Sequence, residues 1–477
     1  MNKVFISNLV LVVTLNVIIK PLYIFGIDRG VQNAVGASEY GLYFALFNFA
    51  YLFQIINDLG LQNYNHSVLS KYQQIIPKYL PKILTVKLVL ACFFVIITIL
   101  SSVLIGFSVF LWPLLILILL NQILISFLQY LRTTMSALGH YHLDSILSVS
   151  DKLLMIAWMG YLLWFSEAEI SIMGFVIAQT FTLAFSLLIA VGFIWRYIGK
   201  VNYAWQFDPS FSLTLFKKSA PYALVLLLMT LYTRMDAVML ERLLSDGKEE
   251  AGIYAASYRI LDAFSNVGLL FAGLLLPMFA KLIGRQESVS DLVRIARNLL
   301  LTFSITIISI SLVYSGPIMT LLYDHATAYW AHVFRLLIIS YVGIALGYIY
   351  GTLLTANESI RMMNYIFLVG VGLNFTLNLI LIPYWKAWGA AMATVVTQIS
   401  VAIALLILAY RYLRMPIDGG AWLRIGIFTI SVYLLAHWSQ VWNLSWWYAS
   451  VVIGILAVSI ALILRLINLR DWLPFRL

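Results

Sequence analysis

The stretch YALVLLLMTLYTRMDAVMLERLLSDGKEEAGIYAASYRILD, residues 222–262, contains two segments apolar enough to cross a bilayer, and Arg234, Asp236, Arg259 and Asp262 stand inside them. A charge at the centre of a membrane helix costs about 2.5–3.5 kcal/mol even on the lenient insertion scale, so such residues face a cavity or a partner rather than lipid. The rest of the chain is therefore expected to build a polar, net-cationic chamber around this hairpin.

Composition agrees with a membrane setting. Of 477 residues, 62% are hydrophobic and 10% charged, against about 25% charged in soluble domains, and the mean hydropathy is +0.94. Apolar runs of about 20 residues, the length that spans the hydrocarbon core, recur fourteen times: approximately 4–27, 40–64, 84–107, 109–131, 146–165, 170–195, 219–242, 251–280, 298–320, 333–355, 362–383, 388–410, 421–440 and 446–465. The expected fold class is all-α, a polytopic membrane protein with about 14 transmembrane helices. The connections are short and leave no room for a folded domain outside the membrane.

Lys and Arg in short loops set topology. With the N-terminus inside, 21 of the 30 cations fall on the cytoplasmic side, among them Lys3, Lys71, Lys87, Arg132, Arg297, Arg424, Arg465 and Arg476. Arg29, Arg242, Lys248 and Lys386 fall outside, and Lys20, Lys152, Arg234, Arg259 and Arg335 lie in or near the membrane. Both termini are expected in the cytoplasm. The net charge of +10 is mostly this bias and does not point to nucleic acid. The lone Cys92 permits no intrachain disulfide. Segment one carries polar residues and no small-residue cleavage site, so it reads as a retained helix rather than a signal peptide.

Segment one sets Asn8, Asn16, Lys20 and Tyr23 on one helical face, and Pro21 predicts a kink beside the charge. That face reads as a wet lining, or else Lys20 snorkels to the interface. Segment two carries Gln54, Asp58, Gln62 and Asn65 along one face. Asp58, near the cytoplasmic end, reads equally as a plain helix-end residue or a functional one. Asn374 and Asn378 continue a polar lining in segment eleven, and Trp438, Trp442, Trp446 and Trp447 mark a headgroup level. His140, His142 and Asp144 read as a solvated loop rather than a metal site.

The pattern Glu39-Tyr40-Gly41-Leu42-Tyr43 returns as Glu250-Ala251-Gly252-Ile253-Tyr254, displaced by 211 residues. Ser136-Ala137 against Thr355-Ala356, and Gln179 against Gln398, repeat at a displacement of 219. Their common order predicts two pseudo-symmetric six-helix lobes, 1–200 and 201–415, with two extra C-terminal helices in 416–477. Six is even, so the lobes share one orientation, the plan of transporters whose site lies between two bundles.

Arg234 lies about 15 residues into segment seven, roughly 22 Å at 1.5 Å per residue. Displacing Lys20 by 211 gives position 231, one helical turn from Arg234, so the halves offer cations at comparable depth. Arg259 and Asp262 share a face and can pair, whereas Arg234 and Asp236 cannot share one. Lys20, Arg234 and Arg259 outnumber Asp236 and Asp262, and an anion would neutralise the surplus. The alternative is that the hairpin charges are ion pairs that lock it. Arginine suits phosphate because its planar fork holds two oxygens at once. Tyr232, Tyr254 and Tyr258 read either as partners for sugars or as ordinary helix packing.

The run Tyr232-Thr233-Arg234-Met235-Asp236-Ala237-Val238-Met239-Leu240, followed by Ala251-Gly252-Ile253-Tyr254 and Tyr258-Arg259, resembles the central signature of bacterial polysaccharide and O-antigen-type flippases. Those proteins, of the multidrug/oligosaccharidyl-lipid/polysaccharide exporter superfamily, export undecaprenyl-diphosphate-linked oligosaccharides. Glu39-Tyr40-Gly41 to Asp58-Leu59-Gly60-Leu61, and Pro383 to Gly389-Ala390-Ala391-Met392-Ala393-Thr394, are similar as well. The resemblance implies a multi-pass protein of the bacterial inner membrane with two lobes in a V and alternating access. It implies no catalytic residue, cofactor or metal, and glycan polymerase and assembly proteins as partners. On it, Lys20, Arg234 and Arg259, with Asn16, Tyr23, Tyr254 and Tyr258, would bind the diphosphate and sugars. Asp236, Asp262 and Asp58 would serve coupling or gating. The single Lys20 departs from the several arginines that lipid II flippases of the superfamily carry in segment one. A drug/cation antiporter of the superfamily and a membrane glycan polymerase or ligase are the alternatives. The basic surplus argues against the first, and the lack of any outer loop longer than about 12 residues argues against the second.

Overall fold

The computed structural model describes residues 15–16, 18–61, 76–198, 208–416 and 418–467, and every regular element among them is helical. In chain order these are α1 (Arg29–Leu52), α2 (Gln54–Asp58), α3 (Ile76–Leu104), α4 (Trp112–Ala137), α5 (Tyr141–Leu147), α6 (Ser150–Phe165), α7 (Ile172–Ile198) and α8 (Pro209–Leu243). They continue as α9 (Gly247–Gly284), α10 (Ser290–Leu322), α11 (Ala328–Leu337), α12 (Ser340–Ala356), α13 (Ile360–Tyr412), α14 (Gly419–Trp438) and α15 (Trp446–Ile463). A helix satisfies its own backbone groups, which is what a segment without water around it requires. Large apolar side chains accordingly face outward, as Leu104 and Phe110 do at 86% and 95% exposure.

Among the described residues, eleven helical stretches are long and apolar enough to cross a membrane. The apolar runs 362–383 and 388–410 form one helix, α13, that breaks at Lys386 (φ 52°, ψ −133°) just after Pro383. Proline has no N–H to give the ladder, so the helix is weakest there. The run 146–165 begins as α5 and resumes as α6, while runs 4–27 and 40–64 fall partly outside the described residues. After Pro21 the helix through Lys20 widens into a π-helical turn, Tyr23–Asp28. The polar positions Asn8, Gln62 and Asn65 lie outside the described residues.

The chain divides into two compact units, Met1–Gly252 and Ile253–Leu477. In the first, α1 runs against α8, and α4 and α6 both pack on α7. The repeated glycines meet here. A Cβ on Gly41 would lie 1.9 Å from the Lys248 carbonyl oxygen and 2.5 Å from the Gly252 nitrogen, and one on Gly252 would lie 2.0 Å from the Ala37 carbonyl oxygen. Ala37 and Lys248 are separated by the same 211 positions as Gly41 and Gly252, so the contact is reciprocal. Gln32 Nε2 reinforces it by donating to the Gly252 carbonyl over 2.9 Å. At the far end of α1, α2 stops where Leu59 (φ 45°) and Gly60 (φ 75°) turn left-handed. A Cβ on Gly60 would lie 3.1 Å from the Ser219 carbonyl oxygen. In the second unit, α12 lies along α13, and α10 packs on α12, α14 and α15.

Two of the cations counted on the cytoplasmic side are buried in the packing rather than solvated. Lys87 sits inside α3 with its side chain 0% exposed, and Arg297 sits inside α10 at 2% exposure. Both lie near the ends of apolar runs, where loop counting cannot tell a solvated cation from a buried one.

Candidate functional site

The first unit assembles a cationic group around Lys20. The π-helical turn that follows Lys20, Tyr23–Asp28, packs on α6, and the charges of Arg132, Lys152 and Asp151 act on Lys20. Lys152 Nζ is 2.9 Å from Asp151 Oδ2 and 4.7 Å from the centroid of the Tyr23 ring. Arg132 Nε donates to Asp144 Oδ1 over 2.9 Å. Asn16 Nδ2 donates to Ser148 Oγ over 3.3 Å, at the break between α5 and α6. Lys20, Lys152 and Arg132 thus outnumber Asp151 and Asp144. Lys152 lies near the middle of Tyr141–Phe165, a helical stretch long and apolar enough to cross a membrane, and Arg132 lies towards the end of another, Val109–Ala137.

Gln179 of α7 joins this group to α1, donating from Nε2 to Tyr23 Oη (3.3 Å) and Tyr43 Oη (3.2 Å). From Tyr43 an aromatic row descends α1: Tyr43 to Phe47 is 6.0 Å between ring centroids and Phe47 to Tyr51 is 6.1 Å with the rings stacked. Spacings of four place these rings on one helical face. The row ends at Arg234, whose guanidinium carbon lies 5.4 Å from the Tyr51 centroid, a cation–π distance. Arg234, Phe47 and Tyr51 are all only partly buried, whereas Asp236 is 1% exposed.

Asp58 meets Lys87: Nζ to Oδ1 is 3.0 Å, with side-chain exposures of 0% for Lys87 and 14% for Asp58. Lys87 Nζ also donates to Ser126 Oγ over 2.7 Å and lies 5.9 Å from the Tyr130 ring centroid. This pair ties the α2 terminus to α3 and α4 and gives Asp58 a structural partner.

The second unit holds the remaining candidates. Tyr254 and Tyr258 are buried, at 1% and 6% exposure, with ring centroids 5.6 Å apart. The Tyr254 hydroxyl bonds that of Thr394 at 3.0 Å, tying α9 to the second half of α13. Arg259 and Asp262 follow on the next turn, both partly buried, and Asn266 Nδ2 donates to the Asp262 carbonyl over 2.8 Å. Asn378 Nδ2 donates to Asn374 Oδ1 over 3.0 Å, and both residues are fully buried. Among the described residues no group of three His, Cys, Asp or Glu is placed to hold a metal. His140 packs against Tyr197, with centroids 4.0 Å apart.

Lys152, Arg132, Gln179, Phe47 and Tyr51 were not among the sequence candidates. Gln179 had a signal, its recurrence as Gln398, and Lys152 stood in an apolar run. Arg132 was counted only among the cations of the cytoplasmic side, and the two rings look like ordinary apolar positions.

The pattern of a family described as polysaccharide biosynthesis protein matches residues 7–283. No curated protein matches the sequence. Among solved structures, the lipid II flippase MurJ in an inward closed conformation is 16% identical, with a TM-score of 0.71 over 94% of this chain and 97% of that one. An inward-facing multidrug resistance MATE family transporter of the MOP superfamily is 14% identical, with a TM-score of 0.64 over 82% and 94%. A MOP superfamily transporter from Pyrococcus furiosus is 12% identical, with a TM-score of 0.55 over 86% and 94%. At these identities the likeness speaks for the fold, that of polytopic membrane transporters. Because the family pattern runs through more than half of the sequence, this chain belongs to the polysaccharide biosynthesis protein family.

Proposed function

We propose that this protein is a flippase that carries an undecaprenyl-diphosphate-linked oligosaccharide, a repeat unit of O-antigen, capsule or exopolysaccharide, across the bacterial inner membrane. The observation that carries the reading is the cationic surplus of Lys20, Lys152 and Arg132 among helices apolar enough to span a membrane, joined through Gln179 and the Tyr43–Phe47–Tyr51 row to Arg234. A diphosphate would neutralise the cations, and partly exposed rings offer stacking faces to sugars. The family pattern and a fold shared with a protein named as a lipid II flippase support this reading. The work is transport rather than catalysis, with the polyprenyl tail left in lipid. The moving parts would be the lobes 1–200 and 201–415, carrying helices 416–477, with both termini in the cytoplasm. Arg259, Asn16, Tyr23, Tyr254 and Tyr258 would complete the substrate path, and Asp236, Asp262 and Asp58 would compete for the cations or bind a coupling ion in the empty state.

Arg234→Ala should abolish surface glycan while the protein remains inserted; normal glycan in that variant would overturn the assignment. Deleting the gene should make a complete, inward-facing lipid-linked unit accumulate. Intact glycan with increased sensitivity to cationic compounds would instead favour a drug/cation antiporter.

A further inference from the structure

The second unit contains a basic cavity of about 190 Å³ that the transport reading does not use, lined by Arg294, Asn298, Asp418, Arg424, Arg465 and Leu466 among others. That space is well above the ~10–15 Å³ that admits one water. It lies where the start of α10, the start of α14 and the residues just after α15 come together. Its walls are fixed. Asn298 Nδ2 donates to the Leu466 carbonyl over 3.0 Å, fastening the chain after α15 to α10. Behind it, the buried Arg297 donates from Nη2 to Asn298 Oδ1 over 3.2 Å and lies 5.0 Å from the Trp422 ring centroid of α14. Asp418 Oδ1 accepts from the Ala421 amide over 2.9 Å, capping α14.

The charges inside do not balance. Arg294 meets Asp291 at 2.9 Å, but the side chains are 50% and 81% exposed, and such a surface pair holds weakly. Arg424 donates from Nε only to the Gly420 carbonyl, at 3.3 Å. Neither Arg424 nor Arg465 has a carboxylate partner among the described residues. Asp418, which also caps α14, offsets one of the three arginines that line the cavity. Three guanidinium groups around one cavity call for an anion, and their planar forks match the paired oxygens of a phosphate. The cavity adjoins the ends of three stretches long and apolar enough to cross a membrane, which would set it at headgroup level, where lipid phosphates are the concentrated anions and basic pockets between helices take them up.

We propose that this cavity binds the phosphate of an anionic bilayer lipid through Arg294, Arg424 and Arg465, and so pins α14 and α15 to α10. The proposal is independent of what the protein transports. The test uses the full chain, purified in detergent and stripped of lipid, with thermal unfolding followed as dioleoylphosphatidylglycerol, dioleoylphosphatidylcholine or inorganic phosphate is added. A ligand bound only by the folded state raises the midpoint in proportion to its affinity. Phosphatidylglycerol should raise it saturably, and its apparent affinity should fall at least tenfold in Arg424→Gln/Arg465→Gln but stay within twofold in Arg361→Gln, an exposed cation outside the cavity. Arg465 is exposed, so Arg465→Gln alone should keep the fold and lose about threefold. Equal affinity in wild type and the cavity variants overturns the site. Saturation by inorganic phosphate, with no further effect of phosphatidylglycerol, overturns its assignment to lipid.

Discussion

The buried Lys87–Asp58 pair allows the structural and the coupling roles of Asp58 to be separated. In Asp58→Asn the Lys87 ammonium, with no exposed surface, would keep the Ser126 hydroxyl at 2.7 Å but lose its countercharge. Removing one partner of a buried pair costs about 3–5 kcal/mol, because the other charge is left uncompensated. Asp58 retains 14% of its side-chain surface, so the lower end, about 3 kcal/mol, is expected. At roughly 2 °C per kcal/mol for a large chain, the midpoint should drop by about 6 °C. The assay is the fraction of monodisperse protein after heating in detergent, for wild type, Asp58→Asn, Lys87→Met and the double variant. The double variant orphans no charge, so it should recover at least half of the loss, and it should still support surface glycan. Wild-type stability in Asp58→Asn, or a double variant whose loss is the sum of the two singles, would refute the structural role. A stable double variant without glycan would assign Asp58 to transport.

Other outcomes follow from the same geometry. Gly41→Ala places a Cβ 1.9 Å from a backbone oxygen, so α1 and α9 must separate and the protein should fall severalfold in the membrane fraction. Gly347→Ala, in α12 with nothing within 4 Å, should leave the level unchanged or raise it, since alanine favours a helix by up to about 1 kcal/mol over glycine. Tyr51→Leu removes the ring under Arg234 and should weaken substrate binding by about 0.5–2 kcal/mol, read as reduced surface glycan, while Tyr51→Phe should stay near wild type. Lys152→Met should lower glycan export at least tenfold and Lys152→Arg should largely rescue it; equal loss in both would show that charge is not what matters there.

The membrane class and the approximate spans were legible in the sequence, because a bilayer of fixed thickness demands apolar runs of fixed length. The two glycines that meet, Gly41 and Gly252, stood out in the sequence through their shared five-residue pattern, and so did the anomaly of Arg234 in an apolar segment. Which charges meet was not legible. Lys87 and Arg297 stand at the ends of apolar runs, where sequence does not tell a solvated cation from a buried one, and nothing local to Lys152 says that it lies over Tyr23. A helix presents about a third of its circumference to any one neighbour, and the facing partner comes from a segment tens to hundreds of residues away. Composition and periodicity therefore determined that this chain fills a membrane with helices and must shelter its charges. Only the tertiary packing decided that Asp58 answers Lys87, that Lys20 gathers with Lys152 and Arg132, and that an aromatic row leads to Arg234.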